Sequence, residues 1–113
     1  MKLLATVALG GARLAALADG LPPSATDVLV SIRAEDVVLL QAGGTWQTSA
    51  RNRLAGTVRT LKSEGATVRI ELDYGFPIVA VLTRQSADKL GLALGGQICA
   101  LVKAPNVHLI PRA

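Results

Sequence analysis

Hydrogen-bond donors concentrate in three short segments of the sequence. SARNRLAG, Ser49 to Gly56, sets a hydroxyl, a guanidinium and a carboxamide within four residues. Thr83 and Ser86 open the segment TRQSADKLGL, and Lys103 closes the apolar run QICALVK. A helix start offers unpaired backbone N–H groups and a positive dipole end; a neighbouring hydroxyl extends these into an anion site, and Arg and Lys add charge. No carboxylate, cysteine or histidine falls within the three segments except Asp88. Such a set suits a fully deprotonated tetrahedral oxyanion, whose oxygens only accept. A monohydrogen phosphate carries a proton that needs an acceptor, so a donor-only pocket disfavours it. The plainer account is that Thr83 and Ser86 cap a helix and that the strand-end cations are solvated.

The segments that position these residues read as strands. Glycine pairs and prolines punctuate short alternating apolar stretches throughout, the habit of an all-β barrel or sandwich. LLATVAL and ARLAALA flank a glycine pair and predict a hairpin. DGLPPSAT is a loop, DVLVSIR a strand, and AEDVVLL a turn leading into another strand. QAGGTWQT is the linker-like segment. RLAGTVRTLK, TVRIELD, PIVAVLT and QICALVK follow as four alternating strands, and VHLI ends the series. Arg84 to Leu92 differs, with Thr83 or Ser86 as N-cap and Gly91 as stop, and predicts one short helix.

VLVSIRAEDVVLL set beside ICALVKAPNVHLI exposes an internal repeat. Each is an apolar strand ending in a basic residue plus alanine, Arg33-Ala34 or Lys103-Ala104, followed by a turn and V-x-L. Upstream, TVALGGARLAAL is similar to RIELDYGFPIVAVL in the same order, so two related halves are expected. The first half is abbreviated: nothing like SARNRLAG precedes it and nothing like the SADKLGL helix lies inside it. A half without its opening strand leaves an unpaired edge, which predicts an oligomer.

Composition bounds the remaining possibilities. A chain of 113 residues, 50% hydrophobic, can bury one modest core. With 3% aromatics the interior must be aliphatic, and β-branched residues favour strands. The net charge of +4 fits anionic partners, but the basic residues are scattered and Trp46, Tyr74 and Phe76 form no stacking series, which argues against nucleic acid. The single cysteine, Cys99, excludes an intrachain disulfide and reads as a small buried hydrophobe. His108, the lone histidine, reads as an ordinary strand residue. The N-terminus imitates a signal peptide through Lys2, LLATVALGG and ALAD, but Gly10, Gly11 and Arg13 interrupt it. No run reaches the roughly 18 apolar residues of a membrane span. No paired acid and base or nucleophile arrangement suggests an enzyme.

SARNRLAGTV, VLTRQSADKLGL and LVKAPNVHLI, in that order and spacing, resemble the molbindin module, also called the transport-associated oligosaccharide-binding-like (TOBE) domain. The resemblance covers Ser49 to Ile110. IRAEDVVLL further resembles the strand preceding this module in the ATPase subunits of molybdate and tungstate importers. No G-x-x-x-x-G-K-[ST] phosphate loop occurs, so the chain is not itself the ATPase. The resemblance implies an OB-like five-stranded β-barrel, with residues 1–45 as the abbreviated first half and 46–113 as a complete module. It implies strand-exchanged dimers that bind molybdate or tungstate at subunit interfaces. The ligand-holding residues carried over by motif are Ser49, the Ala50 main chain, Arg51, Thr83, Ser86, Lys103 and Ala104. No organic cofactor and no cationic metal is implied. The expected partners are further copies of the chain, as a homodimer or higher even oligomer, and ABC transporter subunits; nucleic acid and direct membrane insertion are not expected. The expected setting is cytoplasmic, including membrane association through a transporter complex. The expected role is sensing or buffering of the oxyanion, the alternative being a dimerisation or docking module with a vestigial anion site.

Overall fold

Alternating apolar residues give nearly every strand one inward face, and a computed structural model describes the result for residues 4–9, 12–17, 27–41, 43 and 47–111. Strands β1 (Leu4–Leu9) and β2 (Ala12–Leu17) form an antiparallel hairpin. Its predicted glycine turn lies outside the described residues, as do the loop DGLPPSAT and Ala42, Gly44, Thr45 and Trp46 of the linker. After β3 (Val28–Ser31), a single 3₁₀ turn, η1 (Ala34–Asp36), leads into β4 (Val38–Gln41). Then come β5 (Asn52–Glu64), β6 (Thr67–Asp73), β7 (Pro77–Thr83), the helix α1 (Arg84–Leu90) and β8 (Gln97–Val102). A second 3₁₀ turn, η2 (Ala104–Asn106), precedes β9 (His108–Pro111). The all-β expectation with one short helix is borne out.

Five strands make the main sheet, in the order β4-β8-β5-β6-β7, all antiparallel. The turn η1 adjoins β4, one edge of this sheet, yet it packs against β7, the other edge. The sheet therefore curls until its edges approach, which is the OB-like geometry. The fifth strand, β4, comes from the first half, while β9 pairs with β3. Pairing across the repeat is reciprocal: β3 with β9, and β4 with β8. The turns follow the same rule, η1 lying on β7 and η2 on β2. The internal repeat is thus a two-fold relation in space, and the two halves complete one another.

The core is aliphatic, as the composition requires. Leu14, Ile70, Leu72 and Val102 are fully buried, joined by Val58, Ile78, Ala80, Ile98 and Ala100. Each large aliphatic side chain withdrawn from water contributes about 1.5–3 kcal/mol. Strand β5 obeys strict alternation from Asn52 to Val58, then bulges at Arg59 and leaves its partner β8. There Val58 N–H donates to Gly96 O and Gly95 N–H donates to Val58 O. From Thr60 to Glu64 the strand pairs with β6 only, and both its faces are exposed. Helix α1 starts at Thr83, whose hydroxyl accepts the Ser86 N–H, and stops at Gly91 with φ of 63°. Of the two N-caps that the sequence allowed, Thr83 is the one used. Cys99 is buried and His108 is an exposed strand residue, as expected.

Candidate functional site

The entry into β5 is positioned by its second neighbour, β2, through one side chain. Asn52 is 3% exposed, and its amide bridges the Ala15 backbone: Oδ1 accepts the Ala15 N–H at 2.7 Å and Nδ2 donates to Ala15 O at 2.8 Å. It acts as one residue of a missing strand laid along the hairpin's edge. Asn52 therefore leaves the donor cluster that SARNRLAG suggested; its donor is committed to the fold. The terminal glycine of that segment, Gly56, is also structural, because a Cβ there would overlap the Tyr74 ring and the Asp73 carbonyl oxygen. Tyr74 lies 9% exposed against it, and its hydroxyl is buried without a hydrogen-bond partner. Burial pushes the Tyr74 phenol well above its ordinary range.

The remaining donors of the segment meet the end of β8. Asn52 pairs with Val102 and Arg53 with Leu101. Carried one step outward, the same register sets Arg51 opposite Lys103, after which the chain turns into η2 at Ala104. Ser49, Arg51 and Lys103 are exposed, and their side chains hold no hydrogen bond or ion pair among the described residues. Ala104, 2% exposed, is the first residue of η2. The Ala50 N–H donates to Thr48 Oγ1 at 3.1 Å, so that donor is already engaged. Two like charges facing each other at a sheet end repel, and an anion between them removes the repulsion.

A groove of about 310 Å³ opens at this end of the sheet. Thr48, Ala50, Lys103 and Asn106 line it together with Glu35 and Asp36 of η1 and the apolar Val38 and Leu101, while Ser49, Arg51 and Ala104 lie outside its lining. The sequence segments held no carboxylate here, and the two-fold relation supplies a pair from η1. The site is therefore not donor-only. The Asp36 carboxylate accepts from Arg33 Nε at 2.9 Å and Nη2 at 3.3 Å. That hydrogen-bonded guanidinium holds Asp36 below the usual carboxylate range, and His108 adds a smaller push the same way. Asn106 replaces Asp36 at the repeat-equivalent position, which leaves Lys103, the counterpart of Arg33, without a carboxylate of its own turn. The Arg33-x-x-Asp36 spacing was the signal in the sequence for this difference.

Thr83 and Ser86 lie elsewhere. Thr83 pairs with Thr67, and Thr67 with Glu64, the last residue of β5. Asn52 begins that strand of 13 residues, so the two donor groups are separated by about 40 Å of strand at about 3.3 Å per residue. Within the helix start, Thr83 Oγ1 accepts the Ser86 N–H at 3.1 Å and donates to Ser86 Oγ at 3.0 Å. Among the described residues no group of three or more His, Cys, Asp and Glu side chains converges as a metal site, and no helix is long and apolar enough to cross a membrane.

Known proteins are similar to this chain in sequence and fold. Residues 48–109 match the family model of the TOBE domain. The chain is 48% identical over 65 residues to the molybdenum transport protein ModE of Azotobacter vinelandii, covering 56% of this chain and 24% of ModE. It is 39% identical over 106 residues to the molybdenum import ATP-binding protein ModC of Brucella abortus, covering 92% of this chain and 29% of ModC. The chain thus spans less than a third of either relative. Among solved structures, the cytoplasmic molybdate-binding protein ModG with molybdate bound superposes with a TM-score of 0.82 at 31% identity, over 91% of this chain and 79% of ModG. Four of the five strands of the curled sheet, β5 to β8, the β5 entry beside Lys103 and the capped helix all fall within residues 48–109, and on these grounds the chain belongs to the TOBE domain family.

Proposed function

We propose that the chain binds molybdate or tungstate as a doubly charged tetrahedral oxyanion at a site completed by two chains. Ser49, Ala50, Arg51, Lys103 and Ala104 of one chain form one wall; the hydroxyls of Thr83 and Ser86 of another form the second. The observation that carries this reading is the division of the donors. Five positions gather where β5 begins and β8 ends, and the other two stand at the opposite end of β5. The three free side chains Ser49, Arg51 and Lys103 face solvent there with no internal partner among the described residues, which suits an external anion. The names of the relatives, two of them concerned with molybdenum transport and one molybdate-bound, supply the chemical class. We assign residues 46–113 to the complete module and 1–45 to its abbreviated partner. The role is non-enzymatic: sensing for an importer in the cytoplasm, or buffering of the free anion.

Calorimetric titration with molybdate tests the reading. Arg51→Ala and Lys103→Ala should each weaken binding by about 1.5–3 kcal/mol, the range for hydrogen bonds to charged groups, or about 10- to 150-fold. Unchanged affinity in both variants would move the site elsewhere. A second reading, a docking module with a vestigial site, is favoured by the Thr83 hydroxyl serving a plain helix cap. It predicts no heat at micromolar molybdate.

A further inference from the structure

Glu35 has no role in the site as carried over by motif, yet it stands in the groove. Its side chain is exposed, and it holds no hydrogen bond or ion pair among the described residues. Asp36 beside it is balanced by Arg33. Glu35, which interacts with Arg33 only through a weaker charge attraction, is therefore the carboxylate of η1 without a hydrogen-bonded partner, and it lines a groove of about 310 Å³ together with Lys103, Thr48, Ala50 and Asn106. We infer that Glu35 is a specificity-determining residue for the oxyanion, acting from the groove that it shares with Ala50 and Lys103 of the anion site, an inference that rests on the function proposed above. Its charge lowers the affinity for a doubly charged oxyanion. Its carboxylate oxygens also offer the acceptor that a hydrogen-bearing oxyanion requires, so it weakens discrimination against phosphate.

The effect is that of one solvent-exposed charge at several ångströms, which is modest and salt-sensitive. The first half of the repeat thus acts on the ligand of the second. Substitution removes no hydrogen bond of Glu35 and only a weak charge attraction to Arg33, so the variants should fold normally, and thermal melting checks this.

Glu35→Gln removes the charge and keeps a carbonyl acceptor; Glu35→Ala removes both. Molybdate and phosphate affinities are measured calorimetrically for the three proteins at low and high ionic strength. Molybdate should bind about 2- to 5-fold tighter to both variants at low salt, with the gain vanishing near 1 M salt, where the Debye length is about 3 Å. Phosphate should tighten on Glu35→Gln and not on Glu35→Ala. Molybdate binding that neither variant changes, or a phosphate gain in Glu35→Ala equal to that of molybdate, overturns the role of Glu35 and leaves the oxyanion reading standing. Absence of molybdate binding by the unsubstituted protein overturns the oxyanion reading and this inference with it.

Discussion

Asn52→Ala should cut the thread that ties the first half to the β5 entry. The amide makes two hydrogen bonds of good length to one residue, Ala15. Each such bond contributes about 0.5–1.5 kcal/mol net, and the stranded, half-buried Ala15 N–H and C=O add part of a desolvation cost of about 1–3 kcal/mol each. The sum is about 2–4 kcal/mol. At about 4 °C per kcal/mol for a domain of this size, the melting temperature falls by about 8–16 °C, compared at one protein concentration. Asn52→Asp separates hydrogen bonding from volume. It keeps the acceptor for Ala15 N–H but aims a negative charge at Ala15 O, so the folded state raises the carboxyl pKa above its unfolded value. The protein is then weakest above the raised folded value and recovers as the pH falls through it, with recovery complete below the ordinary aspartate pKa of about 3.9, because the protonated acid regains a donor. A loss below about 1 kcal/mol in Asn52→Ala, or no acid-side recovery in Asn52→Asp, would refute the bridging role.

Further outcomes follow from individual contacts. Tyr74→Phe removes a buried hydroxyl that has no partner and should raise stability by about 1 kcal/mol in urea unfolding; a loss of that size would mean the hydroxyl is satisfied in solution. Asp73 accepts from Arg59 and from Gly75 N–H, and these bonds hold its carboxyl below the usual range, Arg59 contributing most. Its folded pKa is depressed, so its stabilisation is complete at neutral pH and disappears as the pH drops below about 4. The melting-temperature gap between wild type and Asp73→Asn should therefore narrow on acidification from pH 6 to 3, and a constant gap would count against the assignment.

Much of this fold was legible in the alternation of apolar residues and in the glycine and proline punctuation. The helix limits followed from Thr83 and Gly91, because local capping chemistry decides them. Even the two-fold relation showed, as the repeat of strand, basic residue, alanine and V-x-L. The pairing of β9 with β3 and of β4 with β8 did not, since alternation names a strand's faces and says nothing of its neighbours. Asn52 was misread for the same reason. Beside Arg51 it resembles a ligand donor, and only the approach of β2 reveals that its amide closes a strand edge. Glu35 and Asp36 enter the groove through tertiary packing alone, 13 and 12 residues before the nearest groove residue of the second half, Thr48.

Intermolecular complementation tests the central claim most directly. Lys103→Ala damages one wall of the site, and a Thr83→Ala, Ser86→Ala double variant damages the other; its melting curve checks for the lost cap, worth about 1 kcal/mol. Each variant alone should bind molybdate poorly. The two are mixed in equal amounts, unfolded and refolded together so that their chains assort at random, and molybdate capacity is read by equilibrium dialysis. If the walls come from different chains, one interface in about four combines two intact walls, so about a quarter of the wild-type capacity returns at wild-type affinity. If every site lies within one chain, each chain in the mixture carries a damaged wall and no capacity returns. That result would contradict the shared site.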